Sequence, residues 1–158
     1  VKALEAAFEG TIQSERAQVW SLDYDLSSYP ENPRLKPEEE NYTDWLFVYF
    51  KPGTERQVNE LNKKWKGLFS SKNLNDRYQV WTGNLGTEEP VHCYVDAGKD
   101  AVDYHTRWAE LDKILGEEQA AIMNEMSQYI RRTEHKTGRS RPDLSMVPFS
   151  QRQPTTTQ

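Results

Sequence analysis

His92 and Tyr94 stand two apart in the run Val91-His92-Cys93-Tyr94-Val95-Asp96, so in an extended strand both side chains leave by the same face. A neutral imidazole beside phenols is a general base for a phenolic or enolisable substrate, and Tyr49, in the aromatic run 45–51, offers a second phenol. Arg77, Gln79 and Trp81 repeat the two-residue step in another run. Tyr49, Arg77, Trp81, His92 and Tyr94 are therefore the expected lining of a site for a small aromatic or amphipathic ligand, with His92 as the catalytic candidate. The same residues also suit a sheet-on-sheet interface with no ligand, where His92 is a hydrogen-bonded interface histidine.

The other reactive side chains point to less chemistry. His105 with Asp103 reads as a surface pair, and His135 lies among Arg131, Arg132, Lys136, Arg139 and Arg141 in a solvated cationic segment. Glu38, Glu39 and Glu40 form an acidic run able to meet that segment in a neighbouring chain. No two histidines have helical metal spacing, and neither a glycine-rich phosphate loop nor a G-x-S-x-G elbow occurs, so no metal and no cofactor are expected. Cys93 is the single cysteine, which excludes an internal disulfide, and alternation places it with Val91 and Val95 on a row expected beneath helices. Asn41-Tyr42-Thr43 is a glycosylation sequon, meaningful only in a eukaryotic secretory setting.

These residues need elements to hold them. Residues 45–51 read as a strand stopped by Pro52-Gly53, and Val58, Leu61, Trp65, Leu68 and Phe69 recur with helical spacing over 55–70. Residues 77–82 and 91–96 read as a hairpin, and Asp100 opens a long helical pattern (Val102, Trp108, Leu111, Ile114, Leu115, then Ile122, Met123, Met126, Ile130) that Gly116 divides. A further strand is expected around Thr133, His135 and Thr137. Ahead of these, residues 1–20 carry a helical stripe of Leu4, Ala7, Phe8, Ile12 and Val19, and 22–41, with three prolines, read as a surface connection. Leu46, Val48 and Phe50 form an aliphatic row suited to burial beneath helices; Trp45, Phe47 and Tyr49 point the other way.

The order strand, helix, strand, strand, helix, strand is a split βαβ pattern, an α+β class with a ferredoxin-like antiparallel sheet and helices on one face. The chain of 158 residues is long enough for one core, which its five Trp, eight Tyr and five Phe supply. A net charge of −5 gives no general reason to bind nucleic acid or an anionic membrane, and no apolar run approaches a bilayer-spanning length. Asp25-Leu26-Ser27-Ser28-Tyr29-Pro30 and Asp143-Leu144-Ser145-Met146-Val147-Pro148 share D-L-S-x-x-P, each after a helical stretch with an Ala-Ala pair. Either this is chance, or residues 1–30 are the tail of a preceding module. The expected organisation is an N-terminal helical arm and proline-rich linker (1–41), a ferredoxin-like unit (42–150) and a polar tail (151–158). Both ends are expected to contact surfaces beyond the unit, and a removed signal peptide or upstream module stays open.

Lys51-Pro52-Gly53, the helix with Trp65, the hairpin with Trp81-Thr82-Gly83 and Tyr94, and the segment Glu15-Arg16-Ala17-Gln18-Val19-Trp20-Ser21-Leu22 together resemble dimeric α/β-barrel proteins, in particular the NIPSNAP-like group. The resemblance spans roughly residues 42–135 and implies two ferredoxin-like units packed sheet to sheet into a barrel, self-association through the sheet face and the terminal arms, and a ligand in the barrel cavity. It also implies a cofactor-independent monooxygenase-like activity if there is catalysis, and favours an exported bacterial location over a cytoplasmic one. An interaction or assembly protein with a side-chain-filled barrel is the alternative. No axial-histidine context for haem is recognisable, and nothing in the residues selects one activity.

Overall fold

The computed structural model describes residues 10, 11, 13–139 and 141. Strand β1 (Trp20–Ser28) is followed by a loop with a short 3-10 turn at Pro37–Glu39, then β2 (Tyr42–Phe50), helix α1 (Glu55–Ser71), β3 (Tyr78–Gly83), β4 (Val91–Gly98), helix α2 (Ala101–Ser127) and β5 (Ile130–Arg139). All five strands lie in one antiparallel sheet ordered β1-β3-β4-β2-β5. The strand and helix order expected for residues 42–139 is present.

Helix α1 begins where Thr54 Oγ1 donates to the Lys51 carbonyl at 2.7 Å, closing the Pro52-Gly53 turn. Helix α2 begins at Asp100, whose carboxylate accepts the Asp103 N–H at 2.8 Å, and breaks at Gly116, where φ is +50°. Both helices pack on one sheet face. Val58, Leu61 and Met126 meet Val48 and Phe50; Leu68, Phe69, Leu111 and Leu115 meet Leu26, Tyr78 and Val80. The expected stripe of α2 is only partly used, because Val102, Ile114 and Met123 are exposed.

Three expectations are corrected. The sheet is open: β1 and β5 are its edges and do not pair, so the dimeric α/β-barrel type and the barrel cavity inferred from the NIPSNAP-like resemblance are not found. The second correction concerns the N-terminal arm. Residues 13–19 are not helical and Trp20–Ser28, placed across helix and surface connection, is a strand hydrogen-bonded to β3; the rest of the expected helical stripe, at 1–9 and 12, lies outside the described residues. Proline content and a mixed apolar pattern concealed β1, because its alternation changes phase. Trp20 and Leu22 point away from the helices, opposite Gly83 and Trp81, whereas Leu26 is buried in the helix-side core. The phase changes at a bulge between Asp23 and Ser28. Asp23 Oδ1 accepts the N–H groups of Asp25 and Leu26 at 3.0 and 3.1 Å, and Ser27 Oγ donates to the Asp23 carbonyl and accepts from Val80 N–H at 2.9 Å. The first D-L-S copy thus shapes a sheet edge; the second, at 143–148, lies outside the described residues.

The third correction concerns β4. Its register sets Val91, Cys93 and Val95 opposite Tyr49, Phe47 and Trp45, on the face away from the helices, while His92 and Tyr94 stand opposite Val48 and Leu46 beneath them. The apolar row of β4 was expected to be the helix-side one. The reverse holds because its polar row finds buried partners on the helices.

Candidate functional site

The residues expected to share one site are divided between the two faces. His92 and Tyr94 lie under α1, where the Tyr94 hydroxyl donates to Asn62 Oδ1 at 2.9 Å and Asn62 Nδ2 donates to the Val58 carbonyl at 3.0 Å and approaches His92 Nδ1 at 3.4 Å. The Phe50 ring packs edge-on to His92 with centroids 5.2 Å apart. Burial lowers the His92 imidazolium to about 4, so the ring is neutral, and burial also raises the Tyr94 phenol. At 7% exposure His92 is a buried histidine packed beneath α1.

Tyr49 and Trp81 are on the opposite face. The strand register draws a line of side chains across it, Leu22, Trp81, Cys93, Phe47 and Glu134, with Gln79, Val95, Trp45 and Lys136 in the next row. Trp20 meets Phe47 edge-on at 5.6 Å between centroids, the Arg132 guanidinium lies 3.7 Å from the Tyr49 ring centre, and Lys136 Nζ is 5.1 Å from that of Phe47. Among the described residues both helices lie on the other side, and Trp20, Trp45, Phe47, Tyr49 and Trp81 all remain half-buried. Cys93 is covered within this surface, and burial, with the Asp44 charge adding to it, pushes its thiol up to about 12. It is an inert thiol.

Arg77 belongs to neither group. It pairs with Glu40 in a shallow crease lined also by Arg34, Leu35, Asp76, Asp96 and Ala97, where the loop before β2 crosses the sheet end. Arg34 grips Asp103 through three contacts of 2.9 to 3.1 Å and reaches Asp76 at 3.3 Å; Arg107 clasps Asp76 at 2.8 and 2.6 Å. Asp103 therefore pairs with Arg34 rather than His105, which packs on Tyr104. The acidic run is used within the chain: Glu39 meets Lys99 at 3.3 Å and Glu40 meets Arg77. His135 Nδ1 lies 3.4 Å from Asp44.

Sequence reasoning missed Asp96, Asn62, Arg34 and Asp76. Asp96 continues the His92, Tyr94 alternation onto the helix side, where burial pushes its carboxyl up to about 7 despite bonds from Ala97 N–H at 2.7 Å and the Trp108 indole at 2.9 Å. That alternation was the available signal for Asp96; the loop partners have none in local sequence. No three His, Cys, Asp or Glu side chains among the described residues are placed to hold a metal, and no helix among them is long and apolar enough to cross a membrane.

No family model matches the chain, and no curated protein matches it. A solved structure, the crystal structure of an anthrone oxidase-like protein, is similar over 67% of this chain and 46% of its own length, at 14% identity and a TM-score of 0.49. The match is remote and partial and carries no argument about activity. The chain spans less than half of that protein. With the sheet open and Tyr49, Trp81, His92 and Tyr94 divided between its faces, the ligand-filled barrel cavity is withdrawn, and so is its side-chain-filled alternative.

Proposed function

We propose that this chain is a docking unit that associates with a second copy of itself through the aromatic sheet face that neither helix covers. One observation carries the reading: Trp20, Trp45, Phe47, Tyr49 and Trp81 gather on the face that neither helix covers, half-exposed in the single chain. Aromatic surface on this scale is costly to leave in water and is the surface type enriched where proteins meet. A second copy suits it because the β5 side of the face carries both signs, Arg132 and Lys136 beside Glu134, so two copies related by a two-fold axis can set opposite charges against each other. The arrangement is two open sheets in contact, with the buried His92 and Tyr94 taking no part.

Sedimentation of the full chain tests it. The wild type is expected to associate at high micromolar concentration, and Trp81→Glu or Phe47→Glu to lower the association state of a chain that stays folded by circular dichroism. A wild type that stays monomeric, or variants that associate as before, would overturn the reading.

A further inference from the structure

The two sheet edges differ. Edge β1 is interrupted by its bulge between Asp23 and Ser28, a device that spoils strand addition. Edge β5 keeps an unbroken register with β2 from Arg132 to Arg139, and no strand among the described residues pairs with its other side. Every second N–H and C=O of such a strand points outward, which makes it a template for another strand. Edges like this are commonly guarded by charges of one sign; β5 instead alternates, with Arg132, Glu134 and Lys136 on the aromatic side and Thr133, His135 and Thr137 on the helix side.

We infer that β5 pairs antiparallel with β5 of a second copy about a two-fold axis at His135, joining two sheets into one. This contact goes beyond the proposed face-to-face association and uses a different surface. The axis stands perpendicular to the sheet, so residues on the same face oppose one another and the helices of both copies stay on one side. With His135 at the axis, Glu134 of each copy stands opposite Lys136 of the other, and Thr133 stands opposite Thr137. Each is a favourable cross-strand pair, and each occurs twice. The neighbouring registers are worse. Centring on Glu134 sets that carboxylate against itself and Arg132 against Lys136; centring on Lys136 opposes two ammonium groups. Centring on Thr133 shortens the overlap, from residues 131–139 to residues 130–136. The chosen register opposes Arg131 and Arg139 only at its ends, where both are exposed to water.

Cross-linking reads the register directly. In the full chain His135→Cys brings identical thiols together at the axis and is expected to give a disulfide-linked dimer on mild oxidation, whereas Thr137→Cys, which opposes position 133, is not. Cys93 is buried and does not compete. Glu134→Lys or Lys136→Glu alone is expected to weaken the His135→Cys dimer about tenfold, and E134K/K136E together to restore it, because the opposed signs are exchanged but kept. The cross-link is expected to persist with Trp81→Glu, which separates this contact from the sheet-face one. Equal cross-linking at 135 and 137, a charge swap no better than its single changes, or loss of the cross-link with Trp81→Glu would overturn the inference.

Discussion

The carboxylate of Asp96 accepts the indole N–H of Trp108 at 2.9 Å, joining β4 to the first half of α2 at a place where burial penalises the carboxylate's charge. Its carboxyl is raised from 3.8 to about 7, so the folded state holds that proton more tightly than the unfolded chain does. The contribution to stability is therefore full below the unfolded value and is lost as pH rises through about 7. Asp96→Asn should flatten this fall between pH 4 and 8 by on the order of 2 kcal/mol, less than the full linkage value because part of the residue meets solvent. Urea midpoints measured across that range check it; an unchanged slope would contradict the assignment.

Asn62 is the hub of the polar group beneath α1, bonded to Tyr94 and Val58 and close to His92. Asn62→Leu leaves the Tyr94 hydroxyl without its acceptor, and about 2 kcal/mol of stability should go with it. His92 adds a pH effect of opposite sign to that of Asp96. Its imidazolium is lowered from 6.5 to about 4, so stability should fall as pH drops through that window, and His92→Phe should remove this component from acid denaturation curves.

Asp76 receives Arg107 in two short contacts and Arg34 in a third, and its side chain is only 10% exposed. Asp76→Ala removes the carboxylate that two guanidinium groups share, leaving Arg34 with Asp103 and Arg107 with Glu110, and should cost about 3 kcal/mol. The loss should be uneven, because Arg34 holds the loop before β2 to the sheet end. Hydrogen exchange should therefore accelerate at Arg34, whose N–H donates to the Asn75 carbonyl, before it does in the centre of the sheet.

Trp65 and Trp81 are both half-buried, but they serve different ends. Trp65 packs against Phe69 and Trp108 between the helices, so Trp65→Ala should lower stability by about 3 kcal/mol with little change in association. Trp81→Ala, on the face that neither helix covers, should cost less stability and reduce association more. Denaturation and sedimentation of the two variants side by side separate these effects, and equal behaviour would contradict the two-face arrangement.

Much of this architecture is local and was legible as such. The spacing of Val58, Leu61, Leu68 and Phe69 dictates α1, Gly116 marks the break in α2, and the alternation of Leu46, Val48 and Phe50 tells which side of β2 is buried. Each follows from chain geometry and the cost of leaving apolar surface in water. The remaining features depended on partners distant in sequence. β1 is a strand because β3 offers it hydrogen bonds and a bulge returns Leu26 to the core. In β4 both rows contain buried residues, so hydropathy alone could not orient the strand; Asn62 on α1 and Trp108 on α2 did, by accepting or supplying the hydrogen bonds that Tyr94 and Asp96 need. A polar side chain can be buried only where such a partner already waits, and that is settled by tertiary packing. The same long-range choice divided the expected site, sending His92 and Tyr94 beneath the helices and leaving Tyr49 and Trp81 on the opposite face.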